Sequence, residues 1–178
     1  IGALQKLFIQ AKKNKWPQKA VVFTESTRTQ EYLAGLLRDA DISFTQFNGS
    51  NNSPEARRAF EMWRKEFPDS ASVGSASANM RQALINDFRD NTQVLLTTEA
   101  GAEGLNLQFC NIVINYDLPW NPQRVEQRIG RVQRLASVHE KVCIFNIVLK
   151  GTFEEYIVGR LVEKLQMASH AIGDIEAL

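Results

Sequence analysis

Four arginines crowd one short stretch of this chain. Arg124, Arg128, Arg131 and Arg134 all fall within residues 121–135, against a single acid, Glu126. On a helix beginning at Asn121, Gln127, Arg131 and Arg134 stand at i, i+4 and i+7 and form one stripe, with Arg124 and Arg128 on its shoulder. Glu126 points to a different side. A solvated helix usually sets acids at i±4 to its arginines, and this stripe has none. The stripe therefore suits an anion arriving from outside, and the planar guanidinium fork matches phosphate oxygens bidentately. A merely basic surface helix is the plainer reading of the same residues. Val125, Ile129, Val132 and Ala136 occupy the neighbouring face and are expected to pack against a sheet. Gly130, inside the helix, costs about 1 kcal/mol against alanine, which points to a close neighbour.

A second group of chemistry-bearing residues lies just upstream, in Thr-Thr-Glu-Ala-Gly-Ala-Glu-Gly-Leu-Asn, residues 97–106. Gly101 and Gly104 permit a close backbone approach to a ligand. Thr97 and Thr98 offer hydroxyls, with amides beside them, to a phosphate. These ten residues fit equally well a tight turn followed by a helix cap.

Positioning such groups calls for a scaffold, and the chain carries signals for one. Ala20–Thr24, Ser43–Phe47, Gln93–Thr97, Asn111–Asn115 and Val142–Val148 are short, near-continuous apolar runs, as strands covered on both faces require. Helical patterns lie between them. Thr27-x-x-Gln30 reads as a capping box before Tyr32, Leu33, Leu36 and Leu37. Ser53-Pro54-Glu55 and Asn121-Pro122 read as further helix starts. Thr152-x-x-Glu155 opens a last helix, where Phe153, Ile157, Leu161 and Leu165 recur every four residues. Alternating strands and helices predict an α/β fold with a parallel sheet and helices on both faces. Ligands in such folds bind beyond the carboxyl ends of the strands, here after Thr24, Phe47, Thr97 and Asn115. Between Phe47 and Gln93 two helical patterns, about 54–67 and 80–89, flank a Ser/Ala-rich stretch, Asp69 to Asn79, which reads as a mobile loop.

Composition excludes other classes. At 178 residues the chain fits one domain, and 44% hydrophobic with 23% charged residues is ordinary for a soluble protein. No apolar run approaches the roughly 20 residues of a membrane span, and no signal peptide opens the chain. The first residue, Ile1, suggests an excised fragment. Cys110 and Cys143 lack CxxC spacing and read as buried free thiols of a reducing compartment. His139 and His170 form no metal-ligand pattern with them. A net charge of +1 means that nucleic-acid binding must come from a local patch. The chain contains no Gly-x-x-x-x-Gly-Lys-Ser/Thr phosphate loop, nor an Asp-Glu pair at a strand end to hold magnesium.

Gln127-Arg-Ile-Gly130-Arg131-Val-Gln-Arg134 resembles motif VI of superfamily-2 helicases. Residues 97–107 resemble motif V in its Swi/Snf-type form, with Glu-Gly-Leu-Asn-Leu where DEAD-box RNA helicases usually have Arg-Gly-Leu-Asp. Asn115-Tyr-Asp-Leu-Pro-Trp-Asn-Pro122 resembles the usual link between the two motifs, as found in bacterial Swi/Snf-like ATPases. Lys19 to Thr24 is similar to motif IV. Phe47 to Ser50 and Arg81 to Phe88 resemble the element after it, and Thr152 to Ile157 the family's closing helix. The resemblance spans about residues 19–165.

It implies a single RecA-like C-terminal lobe over residues 1–178, with an insertion at about 53–79 and a C-terminal docking helix at about 152–169. Arg131 and Arg134 are then arginine fingers, with Gln127, Gly101, Glu103 and Gly104 at the nucleotide. Thr24, Gly49, Thr98 and Trp120 fall on the nucleic-acid track. ATP and Mg2+ are held mainly by a first lobe of the same polypeptide, and the nucleic acid is expected to be double-stranded DNA. An intracellular location, cytoplasmic or nucleoid, follows. Leu135-Ala-Ser after Arg134 departs from the Ile-Gly-Gln common in Swi/Snf proteins, which leaves the subfamily open. An RNA helicase lobe and a non-catalytic interaction domain are the alternatives. Arg57, Arg58, Arg64 and Lys65, in the insertion, read either as a solvated face or as a further nucleic-acid contact.

Overall fold

The computed structural model describes residues 1–102, 104–132, 142–160 and 163. Five parallel strands form one sheet in the order β2-β3-β1-β4-β5: β1 Ala20–Thr24, β2 Phe44–Phe47, β3 Val94–Thr98, β4 Ile112–Asn115 and β5 Cys143–Asn146. Side chains alternate across the pleat, so the two faces separate cleanly. Ala20 and Val22 look one way, into a cluster with Leu4, Phe8 and Ala11 of α1 (Gly2–Lys13) and Ala34 and Leu37 of α2 (Thr27–Asp39). Val21 and Phe23 look the other way, toward Ala56 and Ala59 of α3 (Pro54–Glu66) and Leu84 and Phe88 of α5 (Ala76–Asp90). Helices therefore cover both faces, and the expected architecture is present.

Several local expectations are corrected. Ser26, not Thr27, caps α2, its hydroxyl accepting from the Thr29 amide. Gln30 does not reach back to the helix start. It is buried, and its Nε2 donates to the carbonyls of Phe47 and Leu96 at 3.0 and 2.9 Å, pinning α2 to the end of β2 and the middle of β3. Tyr32 faces outward.

The Ser/Ala-rich stretch is not an irregular loop. It holds the short helix α4 (Pro68–Ser72) and the first turn of α5, which Ser75 caps by accepting from the Ala78 amide. Alanine is the best helix former, and Asn79 ties the two helices by donating to the Ala71 carbonyl. Trp63 is buried, and Phe60 and Phe67 lie beside it with ring centroids 6.3 and 6.1 Å away, so α3 packs through its apolar face.

Both cysteines are free thiols. Cys110 is buried and Cys143 half-buried. Burial pushes the Cys110 thiol up to about 12, well outside the reactive range. Nearby, at the opposite edge of the sheet from the strands' carboxyl ends, Lys19 donates to the Phe88 and Thr92 carbonyls, and burial lowers its pKa. No helix among the described residues is long and apolar enough to cross a membrane.

Candidate functional site

Parallel pairing lines up the carboxyl ends of the strands. Thr24 ends β1 level with Thr98, and Phe23 is level with both Thr97 and Asn115; Asn115 in turn is level with Asn146. The loops that leave this edge carry the expected groups.

Gly49 follows β2 in a tight turn that Asn48 organises. The Asn48 side-chain oxygen accepts from the Ser50 and Asn51 amides, while the Asn48 amide donates to Asn51 Oδ1. Gly49 is left exposed at the tip. Thr24 and Thr98 are buried. The Thr24 hydroxyl donates to Asp117 Oδ2 at 2.6 Å, and the Glu25 amide donates to the other oxygen of the same carboxylate at 2.8 Å. Thr97 is buried too, with its hydroxyl on the Thr98 carbonyl. These hydroxyls serve the edge internally, so a ligand there meets backbone and loop tips first.

The glycine loop leaves β3 through a single turn, α6 (Glu99–Ala102), which contains Gly101. Gly104 has a φ of +78°, a left-handed conformation that explains the glycine. A Cβ there would lie 3.9 Å from Arg81 Nη1, so Arg81 of α5 borders the loop. Leu105 and Leu107 then turn into the core. The Leu107 amide donates to the Arg131 carbonyl at 3.1 Å. That bond joins the glycine loop to the arginine helix α7 (Pro122–Val132). Glu103 lies outside the described residues.

Helix α7 starts where the sequence places it. Asn121 Oδ1 accepts from the Gln123 amide, and Pro122 takes the first helical position. Val125, Ile129 and Val132 are buried: the first two pack with Leu118, the last in the cluster beneath α3 and α5. Gln127 is exposed and Arg131 half-exposed, with no side-chain hydrogen bond or ion pair from Arg131 to a described residue. Arg134 lies outside the described residues. A Cβ at Gly130 would meet open space, so the close neighbour expected there is absent among the described residues.

Arg128 overturns its place on the stripe's shoulder. It is only 1% exposed. Its Nε donates to Glu99 Oε2 at 2.9 Å, and its Nη1 donates to Asn115 Oδ1 at 3.1 Å and to the Asp117 carbonyl at 3.0 Å. Nη2 lies 2.9 Å from the same Glu99 oxygen, though off the line of a hydrogen bond. The guanidinium also sits 5.2 Å over the Phe23 ring. Its acid is 29 residues upstream, beyond any i±4 search, so sequence periodicity could not reveal it.

Trp120 is 76% exposed, and its ring stacks on Phe153 with centroids 4.8 Å apart. Tyr156 continues the group at 5.4 Å from Phe153. Phe153 and Tyr156 belong to helical residues 153–160, which start where expected but without the side-chain cap: the Thr152 hydroxyl donates to the Leu149 carbonyl, and Glu155 accepts from the Gly151 amide. Ile157 is buried and Phe153 is not. The structure thus brings Thr24, Thr98 and Gly49 to one stretch of the edge and joins Gly104's loop to Arg131. No described contact links Trp120 to either group. Among the described residues no three of His, Cys, Asp and Glu come together as metal ligands.

Residues 1–136 match the protein family described as the helicase conserved C-terminal domain. An uncharacterized ATP-dependent helicase, YqhH of Bacillus subtilis (strain 168), is 40% identical over 162 residues, 91% of this chain. The chain spans only 24% of that relative's length. The chromatin-remodeling ATPase INO80 of Drosophila melanogaster is 33% identical over 60% of the chain and 7% of its own length. Among solved structures, the C-terminal part of the Fun30 ATPase domain superposes with a TM-score of 0.63 at 24% identity, covering 90% of this chain and 44% of that one.

Proposed function

Because this chain belongs to the helicase conserved C-terminal domain family, with relatives among Swi/Snf-type ATP-dependent helicases, we propose that it is the second lobe of a nucleic-acid-stimulated ATPase that translocates on double-stranded DNA. One observation carries the reading. Arg131 stands half-exposed on α7, and its backbone carbonyl accepts from the Leu107 amide at the end of the glycine loop. A cation held ready beside a loop open to close approach is what a triphosphate bound on a facing lobe requires.

In this account the facing lobe, elsewhere in the same polypeptide, binds the phosphates and Mg2+. Closure brings Arg131 and Arg134 to the γ-phosphate, where charge develops in the transition state. Gln127, Gly101, Glu103 and Gly104 line the nucleotide side of the cleft. The edge formed by Thr24, Thr98 and Gly49 tracks the nucleic-acid backbone, and Trp120 lies beside it. Magnesium chemistry belongs to the other lobe in this account. The helix from about 152 docks the end of the lobe, and 53–79 is an addition to the shortest version of the fold.

The isolated chain tests this division of labour. Calorimetry should find ATP binding no tighter than roughly millimolar, about 4 kcal/mol, because only the arginine side of the site is present. Micromolar affinity, or magnesium-dependent turnover by these 178 residues, would sink the proposal.

A further inference from the structure

Arg128 is the largest fully buried side chain among the described residues. A buried ion pair is a costly way to gain stability, and an apolar side chain of similar volume often does as well or better. What an arginine adds is direction, because its fork fixes several partners at once. Here those partners sit at the ends of different strands. Glu99 follows Thr98 at the end of β3. Asn115 ends β4, and its Nδ2 donates to Asn146 at the end of β5. Asp117, whose carbonyl Arg128 holds, grips Thr24 and Glu25 at the end of β1 with its carboxylate. Phe23, under the guanidinium, belongs to β1 as well. One side chain of α7 thus ties the carboxyl ends of four of the five strands.

We propose that Arg128 is a positioning residue that couples nucleic-acid contact at the Thr24–Thr98 edge to the placement of Arg131, one turn further along α7. The inference rests on the functional reading above and deepens it. A shift of the β1 or β3 end is carried through Asp117 or Glu99 to the Arg128 guanidinium. It reaches α7 as a rotation or translation of a rigid helix, whose far end is held by the bond from the Leu107 amide to the Arg131 carbonyl. Arg128 itself touches neither nucleotide nor nucleic acid.

The test uses a two-lobed polypeptide carrying this chain as its second lobe. ATPase rates without DNA and at saturating duplex DNA are measured for the parent and for Arg128→Lys, Arg128→Met and Glu99→Gln, together with melting temperatures and DNA affinity. The stimulated-to-basal ratio should fall about tenfold in all three, within the usual range of coupling between sites, while DNA affinity changes by less than about threefold. Lysine should restore little, because one ammonium cannot span Glu99, Asn115 and Asp117. Glu99→Gln keeps the fold under test should Arg128→Met fail to fold, since Glu99 is already 32% exposed. An unchanged ratio in folded variants would overturn the proposal. So would equal losses in basal and stimulated rates with a lower melting temperature, the mark of a purely structural tie. A parent with no DNA stimulation overturns the functional reading itself, and is seen before any variant is made.

Discussion

Helices α3 and α7 are both basic, yet the structure uses their charges in opposite ways. On α3, Arg57, Arg58, Arg64 and Lys65 face solvent, interleaved with Glu55, Glu61 and Glu66. Arg57 and Lys65 each stand four residues from Glu61, Arg64 lies over the Phe60 ring, and Glu55 pairs with Arg38 of α2. Acids thus alternate with the basic residues along the sequence, and the helix is held by Ala56, Ala59 and Trp63 beneath it. On α7 local acids are nearly absent. One arginine, Arg128, is answered by an acid from a distant strand end, and another, Arg131, stands half-exposed and is the one we propose meets the nucleotide. Local charge balance thus sets the two helices apart, but it does not tell the buried arginine from the half-exposed one.

The largest effect that would break this contrast lies on α7. Arg131→Ala in the two-lobed protein should lower turnover at saturating ATP by about 10³-fold or more, with melting temperature nearly unchanged. Arg134→Ala should behave alike. Next comes α3. Trp63→Ala should cost about 3–5 kcal/mol in urea unfolding, because it removes the large ring that joins α3 to the core. A loss below about 1 kcal/mol would mean that α3 is a loosely attached addition.

Val125→Ala sharpens the comparison within α7. It deletes two methyl groups at a fully buried position and should cost about 1–2 kcal/mol while leaving saturated turnover mostly intact. Arg57→Ala, on the solvated face of α3, should change stability by less than about 0.5 kcal/mol and leave turnover alone. A clear loss of DNA affinity in that variant would make α3 a second nucleic-acid contact.

The smallest effect concerns Glu55 and Arg38. Burial raises the Glu55 pKa, but hydrogen bonds from its own amide and from Arg38, with the charges of Arg38 and Arg58, lower it more. A folded-state pKa below the unfolded value gives stability that is present above the unfolded pKa of 4.5 and lost as pH falls through the folded one. The pair is partly solvent-screened, so Arg38→Gln should cost no more than about 0.5 kcal/mol at neutral pH and less below about pH 4. Urea midpoints at the two pH values check this.

Much of the scaffold was legible in residues 19–132. Strands β1 to β4 announce themselves because both faces are covered and their apolar runs are close to continuous; β5 has the same kind of run but is only partly buried, with Phe145 exposed. Helix α1 carries its signal in Leu4, Phe8 and Ala11, at i, i+4 and i+7, the residues it buries. The stretch from 69 to 79 misleads because small residues look like nothing to bury, although alanine with a Ser75 cap needs little burial to form helix. Gln30 fits a capping pattern and serves a different purpose, since only the fold brings the carbonyls of Phe47 and Leu96 beside it. Arg128 is the same lesson at the site. A helical projection gives its angle, but Glu99 and Asp117 reach it only through the order of the strands.

The central claim is that α7 presents its free arginine to a nucleotide and not to nucleic acid. It is tested most directly by Arg131→Lys in the two-lobed protein, with saturated ATPase turnover and DNA affinity measured on the same folded sample. The account predicts that turnover collapses by orders of magnitude, since an ammonium cannot copy the planar fork, while the DNA Kd moves by less than about threefold. Turnover that survives while DNA affinity collapses would contradict it, and would make the stripe a nucleic-acid patch.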